Sequence, residues 1–376
     1  MLCLRNPPCR ARAAESSPVE RNKAKEFVVI LNENAKRVTD RVRSSAEKLG
    51  PRIALYTSRT KEEAFHIVRE ALDRGCQRII SGGGDGTFSH LLSAAKRCLE
   101  EKNAQIQKMG RQAREGLLRL SLPEFGVLKL GTGNSLAPLL GLRKGLDPVR
   151  SLAGGLDFET LRIHLIEAED RCCTFSGLGW DAQILNDYVW LKERIRHPVL
   201  ASWGRSIGGY LAAILLRTIP TVIFRQRPVE AVARTLGNRL YRIREDGSIQ
   251  FVDAAAGKAF YEGPCNLVCV GTTPYYGYRI KAFPYAMALP GLMHVRIVKA
   301  PVSEILAHVP ALWQGRYRSP NILDFLAERV DFSFSDALPL QIGGDAEGYR
   351  SEITYQVSPL TVDVLDFSRP VHTPTA

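Results

Sequence analysis

The sequence is poor in cysteine and has no long apolar run. Its 376 residues include eight cysteines, whose spacing does not form the paired framework of a small disulfide-stabilised domain. The longest apolar stretch near a helix, about Tyr210 to Leu216, is far shorter than the roughly 20 residues that a membrane-spanning helix needs. Met1 to Lys25 lacks the apolar segment of a secretory signal. We therefore expect a cytoplasmic protein with a disordered basic tail at residues 1–25.

Positive charge is in excess, and it is concentrated in one segment. The chain has 51 Lys and Arg against 39 Asp and Glu, a formal net charge of +12. Between Lys192 and Arg244, eleven basic residues face only two acidic ones. Such a segment attracts polyanions, and the alternative without function is a solvated basic face. Its aromatic residues lie at apolar helical positions rather than in an exposed stacking row, so we expect contact with an anionic membrane surface and no nucleic acid.

Strands and helices alternate in the first 160 residues. Apolar, β-branched runs predict strands, and the segments between them have helical periodicity. The predicted strands are 26–31, 53–56, 78–80 and 125–130. This alternation predicts a doubly wound parallel α/β domain over 26–157 with a charged helical insertion at 98–122. Short β-rich runs then predict a mostly antiparallel β domain over 158–368, followed by a tail at 369–376.

A glycine-rich turn, Ser81 to Thr87, lies between the third strand and the next helix. Its glycines leave backbone N–H groups unobstructed, and the helix directs its partial positive end to the same place, as phosphate binding requires. Within the turn, Asp85 would bind Mg²⁺ or accept a proton from an attacking group. Its alternative role is to cap the helix.

Two further turns carry polar residues. Gly131 to Asn134 also follows a strand, and loops at the carboxyl ends of parallel strands converge on one crevice. Gly343 to Gly348 contains Asp345 and Glu347, which could share a metal ion or a proton path, although such a segment is by itself an ordinary acidic turn. None of the three matches a Walker A or a GxGxxG pattern.

In their order along the chain these motifs resemble the diacylglycerol kinase catalytic-domain family, which includes sphingosine and ceramide kinases and is distantly similar to NAD kinases. Gly83–Thr87 is similar to the family's GGDGT, and Gly131–Asn134 to its GTGN. Gly179–Ala182 is similar to a G-F-D-A segment, and Asp345–Glu347 to D-G-E. The resemblance implies an NAD kinase-like α/β domain and a C-terminal β-sandwich domain, with ATP between them and lipid entering the cleft.

The resemblance also implies roles for individual residues. Asp85, Asp345 and Glu347 would be catalytic and bind Mg²⁺, with either Asp85 or Asp345 as the general base. Asp181 would contact the lipid headgroup or be a structural turn aspartate. ATP would be held by Asn32, Thr57, Gly83, Gly84, Gly86, Thr87, Gly131, Thr132, Gly133 and Asn134.

The predicted function is therefore an ATP-dependent lipid kinase. The acceptor hydroxyl could belong to diacylglycerol, a sphingoid base or ceramide. Two alternatives stay open: an NAD kinase-like enzyme with a soluble substrate, and a catalytically inactive lipid-binding member of the family. We also expect peripheral association with the inner face of the membrane and consider a homodimer possible.

Four positions depart from the family pattern, one of them Lys129, where the family commonly has proline before its GTGN turn. Glu33 follows Asn32 where the family has proline, and a glutamate there would repel phosphate unless the loop is displaced or Lys36 and Arg37 compensate. Ala346 replaces the glycine of D-G-E, which requires a negative φ. Pro290 stands where many bacterial members have Asp-Gly-Leu and a structural metal, which argues against that metal here.

Overall fold

The described part of the chain consists of two packed halves. The structure, a computed structural model, describes residues 27–35, 37–49, 53–108, 121–131, 133–142, 145–194 and 229–371, with the backbone alone at 107–108 and 188–194. Within these ranges the α-helices are α1 Asp40–Glu47, α2 Lys61–Asp73, α3 Asp85–Lys108, α4 Asp147–Ala153, α5 Trp180–Arg194, α6 Val302–Ala307 and α7 Val309–Trp313. A 3₁₀ turn covers Gly277–Arg279.

The strands of the described ranges number sixteen. In the first half they are β1 Phe27–Asn32, β2 Ile53–Ser58, β3 Arg78–Gly82 and β4 Glu124–Val127. In the second half they are β5 Asp157–Ala168, β6 Arg171–Cys173, β7 Phe175–Gly179, β8 Val229–Thr235, β9 Leu240–Ile243, β10 Ile249–Phe251, β11 Ala259–Cys265, β12 Leu267–Gly271, β13 Met293–Val298, β14 Ile322–Ala327, β15 Arg329–Ile342 and β16 Asp345–Val371.

The first half is a parallel sheet with helices on both faces, as predicted. Its strand order is β2-β1-β3-β4, and each neighbouring pair is parallel. Alternate residues of β1 enter opposite cores: Val28 and Ile30 pack towards α2 and α3, whereas Val29 and Leu31 pack towards α1. This alternation is what a sheet buried on both faces requires.

The helix after the glycine turn is longer than predicted. The apolar pattern indicated an end near Leu99 and a separate insertion at 98–122, but α3 continues without a break to Lys108. Arg97 and Lys102 pair with Glu101 and Asp73, so charged residues on its outer face extend the helix rather than ending it. The remainder of the predicted insertion, residues 109–120, lies outside the described residues.

The second half is antiparallel and closes around its own core. Inward-facing side chains from most of its strands form one buried cluster, with Phe332 and Tyr355 among the largest members. This is the predicted β-sandwich, and the fold class is confirmed. The run predicted as a strand at Val222–Phe224 and most of the helical segment Gln183–Ile219 lie outside the described residues.

The last strand joins the two halves. β16 runs for 27 residues, pairs antiparallel with β15 and β5, and meets β4 in parallel register at Val364 and Phe125. The sequence division had placed this strand in the second domain alone. Because β16 begins at Asp345, the element that carries the acidic motif is continuous with the sheet that carries the glycine turns. In the described ranges, no helix combines the length and the apolarity that crossing a membrane would take.

Candidate active site

The first glycine turn is held by the loop after β1. Asn32 donates its side-chain N–H to the Thr87 hydroxyl at 2.8 Å and accepts from the backbone N–H of Asn34 at 2.9 Å. A Cβ on Gly83 would overlap the Thr87 side chain, so the turn closes tightly over the start of α3. The first N–H groups of a helix have no intrahelical partner, and this turn lies at those groups; phosphate binding there stays a prediction.

The second glycine turn lies directly against the first. A Cβ on Gly131 would overlap the Cα of Gly84, so only glycine permits this approach. Asn134 has a φ of +52° and is buried, and its amide bonds to Gly131 on both sides, at 2.6 Å to the carbonyl and 3.2 Å from the N–H. The structure thus uses this asparagine to lock the turn. Thr132 lies outside the described residues.

Asp85 lies where the two turns meet. Its Oδ1 accepts hydrogen bonds from the backbone N–H and the hydroxyl of Ser135, both at 2.7 Å. Its Oδ2 faces Gly133, where a Cβ would stand 2.8 Å away. Burial of the carboxyl group raises the pKa of Asp85 to about 6, and the Ser135 bonds oppose this rise only in part. A carboxylate with this pKa is suited to accept a proton near neutral pH.

A two-residue hairpin delivers Asp345 to the same place. Gly343 and Gly344 have φ values of +60° and +88°, and Ile342 pairs with Asp345 across them, which is the geometry of a type I′ turn. A Cβ on Gly86 would overlap Asp345 Oδ1, so the Asp345 carboxylate touches the first glycine turn. Ala346 lies in strand β16 and does not have a positive φ. An alanine can therefore take the place of the glycine of the D-G-E motif here.

Asp345 and Glu347 are paired with cations. His90 Nε2 lies 2.6 Å and Arg171 3.2 Å from Asp345 Oδ2, while the other end of the Arg171 guanidinium binds Glu347. Lys61 lies 3.8 Å from Glu347. Burial raises the pKa of Asp345, but the hydrogen bond and charge of His90, together with the charges of Arg171 and Lys61, hold that pKa below its ordinary value.

The three predicted metal ligands are not gathered into one site. Across the described ranges, no three His, Cys, Asp or Glu side chains are grouped so that they could hold a metal ion. The physical reason is that Arg171 already bridges Asp345 and Glu347, so a cation occupies the position between these carboxylates. Asp85, Asp345 and Glu347 therefore do not fit the predicted joint Mg²⁺ site in this arrangement.

Asp181 is linked to the hairpin by a chain of hydrogen bonds. Tyr276 donates its hydroxyl to Asp181, Gln341 donates to that hydroxyl at 2.5 Å, and the Gly344 N–H donates to Gln341 at 2.8 Å. Burial raises the pKa of Asp181 to about 6, against the lowering effect of the Tyr276 bond. Asp181 Oδ1 is buried and has no hydrogen-bond partner in the described residues. This open acceptor is compatible with contact to a substrate, the role predicted for Asp181.

The negative charge of Glu33, in the loop after β1, is balanced by nearby arginines. Glu33 pairs with Arg59 at 2.6 Å and lies 3.7 Å from Arg43. The Arg59 bond, with a smaller contribution from the Thr57 hydroxyl, lowers the pKa of Glu33 despite the opposing effect of burial. Arg37 instead bonds to the Lys129 carbonyl at 3.3 Å, so the predicted compensation by Arg37 is replaced by Arg59 and Arg43. Lys36 lies outside the described residues.

The turn at Pro290 is held by a guanidinium group. Arg239 donates to the carbonyls of Pro290 and Gly291, both at 3.3 Å, and pairs with Glu328. A positive charge therefore contacts this turn.

Five residues of the site were not predicted from the sequence. Ser135 directly follows the second turn, and its polar side chain was a signal that could have been used. The others come together only through the tertiary fold and carry no local signature: His90, Arg171, Tyr276 and Gln341.

Comparison with known proteins shows what the first half of the chain is similar to. Residues 26–167 match the family model described as the diacylglycerol kinase catalytic domain. The resemblance inferred from the motifs is confirmed, and the matched domain contains both glycine turns and Asp85.

Relatives agree with this assignment over part of their length. A "Probable lipid kinase YegS-like" from Citrobacter koseri is 27% identical over 124 residues, 33% of this chain and 34% of that protein. A "Probable lipid kinase YegS" from Escherichia coli is 30% identical over 93 residues, 25% of each chain. The chain thus spans about a third or less of the length of these curated relatives.

The fold similarity extends further than the sequence match. The crystal structure of a diacylglycerol kinase from Bacillus anthracis superposes with a TM-score of 0.53 at 13% identity, over 90% of this chain and 96% of the other. At this identity the superposition shows a shared fold, which includes the β-sandwich half.

Proposed function

We propose that the protein is an ATP-dependent lipid kinase that transfers the γ-phosphoryl group of ATP to a lipid hydroxyl. The observation that carries the proposal is the meeting of three elements at one point: Gly84 against Gly131, Asp345 against Gly86, and Asp85 between the two turns. Unobstructed backbone donors at a helix N-terminus hold phosphate, and an adjacent carboxylate accepts the acceptor's proton. The lipid kinase names of the relatives support the same activity.

Asp85 is the general base in this proposal. Its raised pKa places proton uptake near the working pH, and Oδ2 faces the second turn, where the phosphoryl group would lie. Asp345 is the weaker candidate because His90 and Arg171 stabilise its charged form. Its proposed role is to position the first turn through Gly86. The nucleotide supplies the γ-phosphoryl group, and Mg²⁺ that accompanies ATP would offset phosphate charge, since the described residues hold no three-ligand site of their own.

The acceptor would enter from the sandwich side of the cleft. Asp181 has an open acceptor oxygen there, and the Tyr276–Gln341 chain links its position to the Asp345 hairpin. A lipid hydroxyl bonded at Asp181 would thus be coupled to the phosphate turns. Diacylglycerol, a sphingoid base and ceramide all provide such a hydroxyl. Cytoplasmic location, peripheral contact with the inner membrane face and a homodimer stay predictions.

The test is a transfer assay with the full-length protein. The protein is incubated with γ-labelled ATP, Mg²⁺ and, in separate reactions, diacylglycerol, sphingosine and ceramide in mixed micelles, and NAD in solution. Label in at least one lipid product is expected. Label in NAD alone would identify an NAD kinase-like enzyme. Vesicle binding without transfer to any acceptor would identify the inactive lipid-binding alternative.

A further inference from the structure

A cavity of about 540 Å³ lies outside the cleft, where β9 and β14 meet the loop at 317–320. Strand register places it away from the phosphate turns: Val298 pairs with Ile322 at this end of β13, whereas His294 pairs with Gly271 at the other end. The chain after Gly271 leads to Gly277, which contacts the second glycine turn. The cavity volume is typical of small-molecule sites.

Four basic side chains line this cavity: Arg242, Arg244, Lys299 and Arg318. None of them has a carboxylate within 4 Å among the ion pairs of the described ranges. Arg242 and Arg244 belong to the basic segment that the sequence singled out and that the kinase cleft does not use.

The acidic groups nearby do not neutralise these cations. Asp324 also lines the cavity, but it is committed to Arg296 at 2.7 Å and to His294 at 3.0 Å. Asp246 accepts two bonds from Ser248, although Arg244 is close enough to help lower its pKa. Glu245 is the other acidic residue of the lining. The cavity therefore retains a surplus of positive charge.

One wall of the cavity is fixed in place. Glu304 accepts hydrogen bonds from Tyr317 at 2.7 Å, Ser319 at 2.6 Å and Asn321 at 2.8 Å. Arg318 is held by the Tyr285 hydroxyl at 2.9 Å and stacks over its ring. Pre-organised donors lose little conformational entropy on binding, which favours a specific site over a diffuse basic surface.

Exposed apolar side chains adjoin this wall. Leu306 on α6, and Val309 and Trp313 on α7, are 45%, 37% and 43% exposed, and α7 leads directly into the loop that lines the cavity. Tryptophan beside basic residues is the composition of a membrane-interface contact. This neighbourhood favours a lipid as the source of an anionic ligand.

We infer that this cavity is an anion site that binds a phosphate group, separate from the nucleotide site, through Arg242, Arg244, Lys299 and Arg318. Arginine forks bind phosphate oxygens in pairs, and four cations around one cavity, which form no ion pair within the described ranges, supply the charge for a monoester or diester. The two sources of this chemistry are an anionic phospholipid headgroup and free phosphate.

The test compares two double variants that lose the same charge. Arg242→Ala/Lys299→Ala alters the cavity, and Lys258→Ala/Arg329→Ala removes two cations elsewhere on the sandwich for which the described residues offer no ion pair. Each full-length protein is titrated with inorganic phosphate by calorimetry. Each is also floated, without nucleotide, with phosphatidylcholine vesicles that contain or lack phosphatidylglycerol.

The cavity variant is expected to bind at least one anionic probe roughly thirtyfold more weakly than the wild type, because each of the two lost cations contributes about 1 kcal/mol near an anionic surface. The control variant should stay near the wild type. A loss confined to anionic vesicles identifies the lipid headgroup, and a loss confined to inorganic phosphate identifies the free anion. Equal binding by the two double variants on both probes would overturn the inference, provided that their unfolding temperatures match.

Discussion

Asp85 and Asp345 come from the two halves of the molecule and meet at Gly86, yet their surroundings differ in kind. Asp85 is held by neutral donors, the N–H and hydroxyl of Ser135, and burial dominates its pKa. Asp345 is half-buried beside His90 and Arg171, whose hydrogen bond and charges outweigh the effect of burial on its pKa. The same side chain therefore has a raised pKa in one half and a lowered pKa in the other. The neighbours of each carboxyl group, and not its residue type, set the direction of its pKa shift.

The largest effect is expected from Asp85→Asn. The amide keeps a bond acceptor for Ser135 but cannot take a proton, so transfer should fall by about 10²–10⁴, the range for a lost general base. If this variant kept full activity, Asp85 would not be the general base. Asp336→Asn, on an exposed part of β15, is the control and should keep the wild-type rate.

The same variant tests the raised pKa of Asp85 through protein stability, without an assay of phosphoryl transfer. The folded-state pKa of Asp85 lies above its ordinary value, so its contribution to stability is present below about pH 4 and is lost as the pH rises through about 6. Asp85→Asn should therefore raise the unfolding temperature at pH 8 relative to the wild type and leave it nearly unchanged at pH 4. A lower unfolding temperature at pH 8 would contradict the raised pKa.

The next largest effect is expected from Gly131→Ala. The added methyl group would overlap Gly84, so the two turns must separate, at a cost of about 1–3 kcal/mol in the free energy of unfolding. Nucleotide affinity should fall as well, because both turns belong to one phosphate site. Gly154→Ala is the matched control: its φ is −73° and its new methyl group would make only ordinary contacts of 3.4 Å or more. Urea denaturation and nucleotide titration of both variants measure the difference.

A smaller effect, but one that sharpens the comparison, is expected from Arg171→Ala. Removal of the guanidinium should raise the pKa of Asp345 and lower kcat about tenfold, equivalent to about 1.4 kcal/mol of lost positioning. The freed carboxylates of Asp345 and Glu347 should also gain affinity for a divalent cation. Titration with Mn²⁺ in the absence of nucleotide, followed by electron paramagnetic resonance, detects this gain.

The control for that experiment is Arg162→Ala, which breaks an exposed pair with Asp363 at 2.9 Å elsewhere on the sandwich. It should not change Mn²⁺ binding. If Arg171→Ala binds no more Mn²⁺ than this control, then Arg171 does not occupy a potential cation position.

The smallest effect is expected from Ser135→Ala. Loss of the hydroxyl bond leaves only the backbone N–H on Asp85 Oδ1, so the pKa of Asp85 should rise by about 0.5–1 unit. The acidic limb of the kcat/KM profile should move to higher pH by the same amount. Ser248→Ala removes the equivalent hydroxyl bond from the exposed Asp246, keeps the backbone N–H bond, and should leave the profile unchanged. An unshifted limb in Ser135→Ala would assign that limb to another group.

Local sequence patterns were sufficient for the turns and the fold class. Helix α2 spans Lys61–Asp73 because Thr60 and Glu63 form a capping box at its start and Gly75, with φ of +79°, follows its end. Glycine motifs after strands likewise predicted the positions of both turns, since strand ends in a parallel sheet share one edge.

The cation partners of the acidic hairpin could not be predicted. His90 lies on α3 and Arg171 opens β6, and only the packing of α3 on the sandwich places both beside Asp345. A D-x-E pattern therefore predicts two carboxylates but not whether a metal or an arginine lies between them. The length of α3 was also missed, because a polar outer face resembles an insertion when its partners on α2 are unknown.

The position of β16 late in the chain affects how much of the protein can fold during synthesis. The N-terminal sheet is completed by a strand from near the other end of the chain, which pairs Val364 with Phe125 and buries Val362 and Val364 in the same core as α3. A nascent chain that has emerged only as far as residue 330 lacks both that strand and the Asp345 hairpin. The two glycine turns therefore reach their final arrangement only after β16 has paired with β4. Contacts between residues this far apart in sequence form slowly during folding. Until translation has passed β16, this protein should occur as a partly folded species that exposes the edge of β4.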